Sequence, residues 1–275
     1  MTRTKVALIT GAGRGQGRSH ALTLARAGYD IVAFDAPYAL TTLPYQTSTP
    51  EDLAGTSELV AETGQRAVTV AGDVRRTADV DHAVQTAVQE LGGLDVVIAN
   101  AGICSFAPFE QITDAQWDEM QAVNLGGVFR TFRAALPALR AQRSGRLIAT
   151  ASMAGRGGAP NLAHYAAAKA GVISLVKTLA LELGSCGVTV NCLCPTTVDT
   201  PMVHNQPMYA LFAPDVAERD KESVRARYEA MNPMRVAWLD PQEVSDLVAF
   251  LVSDAARHIS GAVFEISAGG SGSQL

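Results

Sequence analysis

A hydroxyl, a phenol and an ammonium stand at offsets that could move a proton: Ser152, Tyr165 and Lys169. Tyr165 and Lys169 are four residues apart in an alanine-rich run, and alanine favours helix, so they share one helical face. A fixed cation beside a phenol favours phenolate and lowers its pKa from the ordinary value of about 10. Tyr165 would then accept or donate a proton near neutral pH. Ser152 lies thirteen positions earlier, at the end of an apolar strand-like run, where it could hydrogen-bond a substrate oxygen. An isolated Tyr-x-x-x-Lys pair is usually a surface tyrosine beside a snorkelling lysine. The N-terminus gives this pair a chemical context.

There, residues 5–10 form a short apolar strand, followed at once by Gly11-Ala-Gly13-Arg14-Gly15-Gln16-Gly17 and then by helix formers that stop at Gly28. Strand, glycine turn and helix in that order make a phosphate cradle. Glycines let backbone N–H groups approach a diphosphate, and the helix N-terminus adds partial positive charge. The candidate cofactor contacts in this turn are Gly11, Gly13, Arg14, Gly15, Gln16 and Gly17. The next strand, 31–35, ends in Asp35, 18 residues after Gly17, where a carboxylate meets an adenosine ribose 2′-OH. A carboxylate repels a 2′-phosphate, so the expected cofactor is NAD rather than NADP. Arg14 points the other way, as a cation able to meet that phosphate, but the strand-end position of Asp35 is the more firmly fixed.

Residues 36–50 depart from a plain βαβ unit. They are rich in Thr and Pro and carry Tyr38 and Tyr45. Long loops inside compact domains are usually functional or disordered. Beside the adenosine end, this insertion is a candidate cover over the cofactor; the alternative is a surface loop.

The elements that must position these groups alternate along the chain. Strands are expected at 67–71, 94–99, 145–151, 188–194 and 262–266. Helices are expected at 51–62, 77–91 with Thr77 as N-cap, 113–139 with Thr113 as N-cap, 162–183 and 241–253. Asp73 and Val74 follow the third strand. Asn100, Ala101 and Gly102 end the fourth, where small residues and an amide let a cofactor ribose pass. Asn124, with Gly126 and Gly127, interrupts the 113–139 helix, and an asparagine there costs stability unless it holds a kink or a water near the catalytic trio. The sixth strand ends at Pro195. Strand–helix alternation implies a mostly parallel sheet covered on both faces, with ligands outside the carboxyl ends of the strands. The 200–239 segment breaks the rhythm. Its Met, Tyr, Phe and Trp residues describe a flap with short helices shaping an apolar substrate pocket, or else an oligomer contact. No repeat or second domain appears, so residues 1–275 make one domain.

Composition excludes other roles. The net charge of −5 argues against a nucleic-acid partner held through phosphates. No apolar run is long enough for a membrane span or a signal-peptide core, which makes the cytoplasm the expected location. Cys104, Cys186, Cys192 and Cys194 lack metal-ligand spacing and read as reduced core residues, so no metal is expected.

Together these residues resemble the short-chain dehydrogenase/reductase family, over essentially the whole chain. The carriers are Thr10-Gly11-x-x-x-Gly15-x-Gly17, Asn100-Ala101-Gly102, and a tetrad of Asn124, Ser152, Tyr165 and Lys169 in matching order. The resemblance implies a Rossmann-type doubly wound fold with a seven-stranded sheet. It implies that Tyr165 exchanges the proton, Lys169 binds the nicotinamide ribose and lowers the tyrosine pKa, Ser152 steadies the substrate oxygen, and Asn124 anchors a relay water. Asp35, Asp73, Val74, Asn100, Val198 and Thr200 match positions lining the dinucleotide, joined by Ala101, Gly102, Pro195, Tyr165 and Lys169. It also implies a homotetramer. The chain departs from the family in having Pro195-Thr196-Thr197-Val198 where Pro-Gly is common, and in the 36–50 insertion. Those features are similar to the mycofactocin-associated, carveol-dehydrogenase-like subgroup. That likeness implies tightly held NAD, oxidation of a small apolar secondary alcohol such as a cyclic terpenol, and an external redox partner. The alternatives are a reductase of 3-oxoacyl thioesters or other carbonyls and, outside enzymes, a dinucleotide-sensing binding protein.

Overall fold

In a computed structural model, residues 3–37, 40 and 42–273 are described; Tyr38 lies outside them. The first half runs β1 (Lys5–Thr10), α1 (Gly15–Arg26), β2 (Tyr29–Asp35), α2 (Pro50–Ala61), β3 (Ala67–Ala71), α3 (Thr77–Glu90), β4 (Val96–Ala99) and α4 (Asp114–Asn124). The second runs α5 (Gly126–Gln142), β5 (Gly145–Thr150), α6 (Ala163–Leu183), β6 (Val188–Pro195), α7 (Gln206–Phe212), α8 (Lys221–Met231), α9 (Pro241–Val252) and β7 (Val263–Ile266). The strands make one seven-stranded sheet in the order β3-β2-β1-β4-β5-β6-β7. Every neighbouring pair is parallel, so the sheet is fully rather than mostly parallel.

Strand periodicity explains the two layers. Side chains alternate across a strand, and a parallel sheet hides both faces, which is why β1 is apolar throughout. Val6 and Leu8 enter one core with Val84, Phe132 and Val172 from α3, α5 and α6. Ala7 and Ile9 enter the other with Leu24, Val60 and Val248 from α1, α2 and α9. Strand order reverses between β1 and β4, which opens a crevice at their carboxyl ends.

Three expectations need correction. Helix α1 starts at Gly15, inside the glycine turn, rather than after it. Thr77 is the first helical residue of α3, not its cap: Arg76 holds the cap position, and the Thr77 hydroxyl accepts from Arg133 at 3.2 Å. The 113–139 helix is two helices, broken at Leu125, with Thr113 capping the first through a reciprocal box with Gln116. The break sits where propensity is poorest: the Asn124 side chain is committed elsewhere, and Gly126 and Gly127 follow. The other expected strands and helices lie within two residues of the observed ones.

Gly17 is where the fold tolerates no side chain. A Cβ there would sit 1.9 Å from the Gly11 carbonyl oxygen, which is backbone and cannot yield cheaply. Gly17→Ala should therefore destabilise the protein by about 3 kcal/mol, read as a lower urea midpoint; an unchanged midpoint would contradict the packing of this turn.

Candidate active site

Strand β5 delivers Ser152 just beyond its carboxyl end, where the Ser152 hydroxyl accepts from Ala154 N at 3.2 Å. Helix α6 carries Tyr165 and Lys169 one turn apart, as the spacing requires. The Lys169 ammonium donates to the Thr150 carbonyl at 2.8 Å and lies 5.6 Å from the Tyr165 ring centroid. Asn124, wholly buried, joins them from the end of α4. Its Oδ1 accepts from Ile103 N at 3.2 Å, while its Nδ2 donates to Ile103 O at 3.0 Å and Met120 O at 3.1 Å. The side chain therefore staples the strand-β4 loop to α4. Gly102 fits between these groups for want of a Cβ, which would lie 2.9 Å from Asn124 Oδ1 and 3.3 Å from Lys169 Nζ. The four residues of the expected tetrad thus converge at one end of the sheet.

The direction of the tyrosine shift differs from the expectation. Burial pushes the Tyr165 phenol above its ordinary range, Cys104 adds to the rise, and the Ser152 hydroxyl partly offsets it. Lys169 does not reverse this, because it is buried too: loss of hydration pushes its own pKa down to about 8. The protein alone holds the phenol protonated.

A groove runs from this point along the carboxyl ends of β1, β2 and β4. It is lined by Gly11, Arg14, Gly15 and Gln16 of the glycine turn, then by Asp35, Asp73, Val74, Asn100, Ala101 and Gly102, with Thr200 opposite. Gly13 N donates to Asp35 Oδ2 at 2.7 Å, and Ala36 N donates to the other oxygen at 2.7 Å, so the carboxylate is fixed at the end of β2. Asn100 Nδ2 donates to Thr10 O at 3.2 Å, and its Oδ1 accepts from Thr150 at 3.2 Å, which ties three strand ends together. Burial works against ionisation of Asp73, but the hydrogen bonds and charge of Arg75 outweigh it and hold its carboxyl below the ordinary carboxylate range. Pro195, Val198 and Thr200 line the adjoining cavity beside Tyr165 and Lys169.

The described part of the insertion lies over this groove, with Leu40, Tyr45, Thr47 and Ser48 among its lining residues. Leu40 and Leu43 pack on the core. Thr42 donates to Glu119 of α4, which also pairs with Arg75 at 2.7 Å. Arg14 donates to the Gln46 carbonyl, so the cation that hinted at a 2′-phosphate is engaged with the insertion instead. The Tyr45 hydroxyl accepts from Cys104 N at 3.0 Å. Sequence reasoning missed Glu119, Arg75 and also Arg18, whose Nε donates to Thr56 at 2.9 Å and joins α1 to α2. The signal available for Arg18 was a charged residue directly after the glycine turn, on the side that α2 covers.

Beside Ser152 and Tyr165 opens a cavity of ≈ 300 Å³. Cys104, Leu162, Met202, Met208, Phe212 and Met231 form its apolar wall, and Lys169 is the one charged residue among its described lining residues. The 200–239 segment supplies much of this wall. It folds into α7 and α8 around its own small core of Val203, Tyr209, Val224 and Tyr228, with Trp238 packed against it. The two threonines that depart from Pro-Gly hold its base: Thr196 donates to Asn232 Oδ1 at 3.2 Å and Thr197 to Ala237 O at 2.9 Å. Among the described residues, no cluster of His, Cys, Asp and Glu could hold a metal, and no helix is long and apolar enough to cross a membrane.

A doubly wound parallel sheet, a glycine cradle and a Ser–Tyr pair beside a buried lysine at its carboxyl edge define an oxidoreductase of the dinucleotide-fold class. More particularly, the chain belongs to the short-chain dehydrogenase/reductase family: the short chain dehydrogenase model matches residues 5–208. It is 42% identical to (−)-trans-carveol dehydrogenase of Rhodococcus erythropolis over 272 residues, 96% of each chain. The crystal structure of carveol dehydrogenase from Mycobacterium avium in complex with NAD superposes with a TM-score of 0.95 at 40% identity, covering 98% of both chains. A short-chain dehydrogenase from Mycobacterium paratuberculosis bound to NAD gives 0.88 at 30% identity, again over 98% of both.

The buried lysine has a measurable consequence. Its folded pKa of about 8 lies below the ordinary 10.5, so between those values the folded chain binds fewer protons than the unfolded one, and stability rises with pH. Relative to Lys169→Met, the protein should gain about 2 kcal/mol from pH 8 to pH 10. Urea unfolding of both forms checks this, and parallel pH curves would contradict it.

Proposed function

We propose that the protein is an NAD-dependent dehydrogenase that interconverts a compact, apolar secondary alcohol, of the cyclic or terpenoid kind, and its ketone. One observation carries this reading: the apolar cavity that Tyr165 lines adjoins the glycine-turn groove and shares Gln16, Asn100, Gly102, Thr200 and Met202 with it. The groove suits NAD in its own chemistry. Gly17 underlies a turn with no room for a Cβ, and the Asp35 carboxylate is pinned where a 2′-phosphate would have to sit. Gly11, Gly15 and Gln16 would face the diphosphate, with Arg14 lining the same groove while its guanidinium holds the Gln46 carbonyl and Gly13 N holding Asp35 in place; Asp35 would face the adenosine ribose, Asp73 and Val74 the adenine. Asn100, Ala101, Gly102, Tyr165, Lys169, Pro195, Val198 and Thr200 would hold the nicotinamide half. Bound there, NAD supplies the acceptor and donor of hydride.

The chain's own residues handle the proton. Tyr165 takes it from the carbinol hydroxyl during oxidation and returns it to the carbonyl oxygen during reduction, with Ser152 hydrogen-bonded to the same oxygen. Lys169 stays on the Thr150 carbonyl and places a cation beside the phenol. A phenol held protonated by burial has its proton in place for reduction of a carbonyl and accepts one only after losing its own. The wall of Leu162, Met208 and Phe212 accepts a hydrocarbon body, and the one cation among the described lining residues, Lys169, is committed to the Thr150 carbonyl rather than to the phosphate of an acyl carrier. The insertion acts as the cover that keeps NAD in place. An enclosed cofactor must be recycled where it sits, which fits an external redox partner of the mycofactocin type. Leu181 on α6, 87% exposed, with Phe129 on α5 and Phe250 on α9, gives apolar faces for assembly as a homotetramer.

Three outcomes test this. Tyr165→Phe should lower turnover of secondary alcohols by at least a thousandfold, on the order expected for loss of the group that carries the proton, while NAD binding persists; undiminished turnover rejects the assignment. Alcohol oxidation should speed up, and ketone reduction slow down, as pH rises on the alkaline side; the opposite slopes in initial-rate assays would contradict a phenol protonated at rest. Dialysed protein should retain NAD, and a form with the 36–50 segment shortened should lose it; equal loss from both forms would remove the cover.

A further inference from the structure

We infer that Tyr45, carried by the insertion, is a positioning residue for the reaction as well as a fastening for the cover. This rests on the dehydrogenase reading and extends it to a residue that the tetrad does not include. The starting observation is how the loop after β4 is held. It passes from the cofactor groove at Gly102 to the substrate wall at Cys104, so its path fixes both. Four side chains or backbones from four different places grip it in succession. Asn124 takes both polar groups of Ile103. Tyr45 takes Cys104 N at 3.0 Å. His164, the residue before Tyr165, meets the Ser105 hydroxyl at 3.0 Å. Asn161 O accepts from Ala107 N at 3.0 Å.

Three of these grips come from the body of the enzyme: α4, α6 and the turn before α6. The Tyr45 grip comes from the cover. Among the described residues no other acceptor is hydrogen-bonded to the Cys104 amide, so this tie depends on the Tyr45 hydroxyl. The Ile103–Cys104 peptide is thereby clamped between Asn124 on one side and the cover on the other, beside the space that Gly102 leaves for Lys169 Nζ. Closing the cover completes the wall against which the substrate lies. Opening it frees one of four ties on that wall. Enclosure of the cofactor and assembly of the reacting geometry are then a single event, and a displacement of the wall by even about 1 Å can cost on the order of a hundredfold in rate.

The test uses Tyr45→Phe, which keeps the ring and its packing and removes only the hydroxyl. Two readings are taken on full-length protein. The first is exchange of the Cys104 amide with deuterium, followed by NMR with NAD bound. It should be slow in the unaltered protein and about tenfold faster in the variant, on the scale of one lost hydrogen bond. The second is the single-turnover rate of nicotinamide reduction by a secondary alcohol at saturating NAD and alcohol, which should fall between about tenfold and a hundredfold. Faster amide exchange with an unchanged saturated rate would overturn the positioning role and leave Tyr45 a fastening only. Unchanged exchange would overturn the clamp itself. If the variant does not fold, exchange of the Cys104 amide is compared between the unaltered protein and a form with the 36–50 segment shortened: equal exchange in the two overturns the clamp. Absence of nicotinamide reduction in the unaltered protein would instead count against the dehydrogenase reading.

Discussion

An ammonium removed from water and bonded to a main-chain carbonyl organises this molecule. Lys169 is 3% exposed, and its contact with Thr150 O at 2.8 Å joins the middle of α6 to the last residue of β5. Burying a charge costs several kcal/mol unless partners compensate. Here the compensation is partial, since the pKa falls to about 8. The protein tolerates this cost at the one place where it sets the distance between a strand end and a helix face. Ser152 follows from the strand and Tyr165 from the helix, so a single bond indexes the two hydroxyls against each other. Asn124 and Gly102 complete the fit, the first by holding the neighbouring loop and the second by leaving room for the ammonium.

Around that point the cleft has two sides of different construction. The side that the glycine turn lines is fastened mainly by polar contacts to backbone and charged groups: Arg14 on Gln46, Thr42 on Glu119, Arg75 between Glu119 and Asp73, and Tyr45 on Cys104. The apolar side is a self-packed unit, with Tyr228 in contact with Tyr209, Phe212 and Trp238 at ring-centroid distances of 5.5–6.5 Å. Polar fastening gives a defined closed position, and aromatic packing gives a wall that excludes water.

Much of this was legible in the residues because it depends on local rules. The alternation of strands and helices along the chain predicted a sheet covered on both faces, the Gly11–Gly17 spacing predicted the cradle, and the four-residue offset of Tyr165 and Lys169 predicted a shared face. What was not legible depends on the sum of distant contacts. The sign of the Tyr165 shift could not be read from a neighbouring lysine, because burial of both groups, and not their pairing alone, decides it. Arg14 looked like a phosphate ligand until its guanidinium was seen on a carbonyl 32 residues away. Asn124 suggested a kink in one helix, but the break into two follows from its commitment to Ile103, which no spacing reveals. Thr196 and Thr197 read as a departure from a glycine and turn out to hold the base of the flap.

The aromatic unit over the substrate cavity has a thermal consequence. Apolar association loses strength on cooling, whereas hydrogen bonds to backbone and paired charges do not share that dependence. Chilling the protein, or adding a mild organic co-solvent, therefore loosens the aromatic side of the cleft before the side that the glycine turn lines. In the cold the protein has a firm groove at one end of the cleft and a slack wall at the other, so the shape of the apolar cavity blurs while the insertion stays fastened.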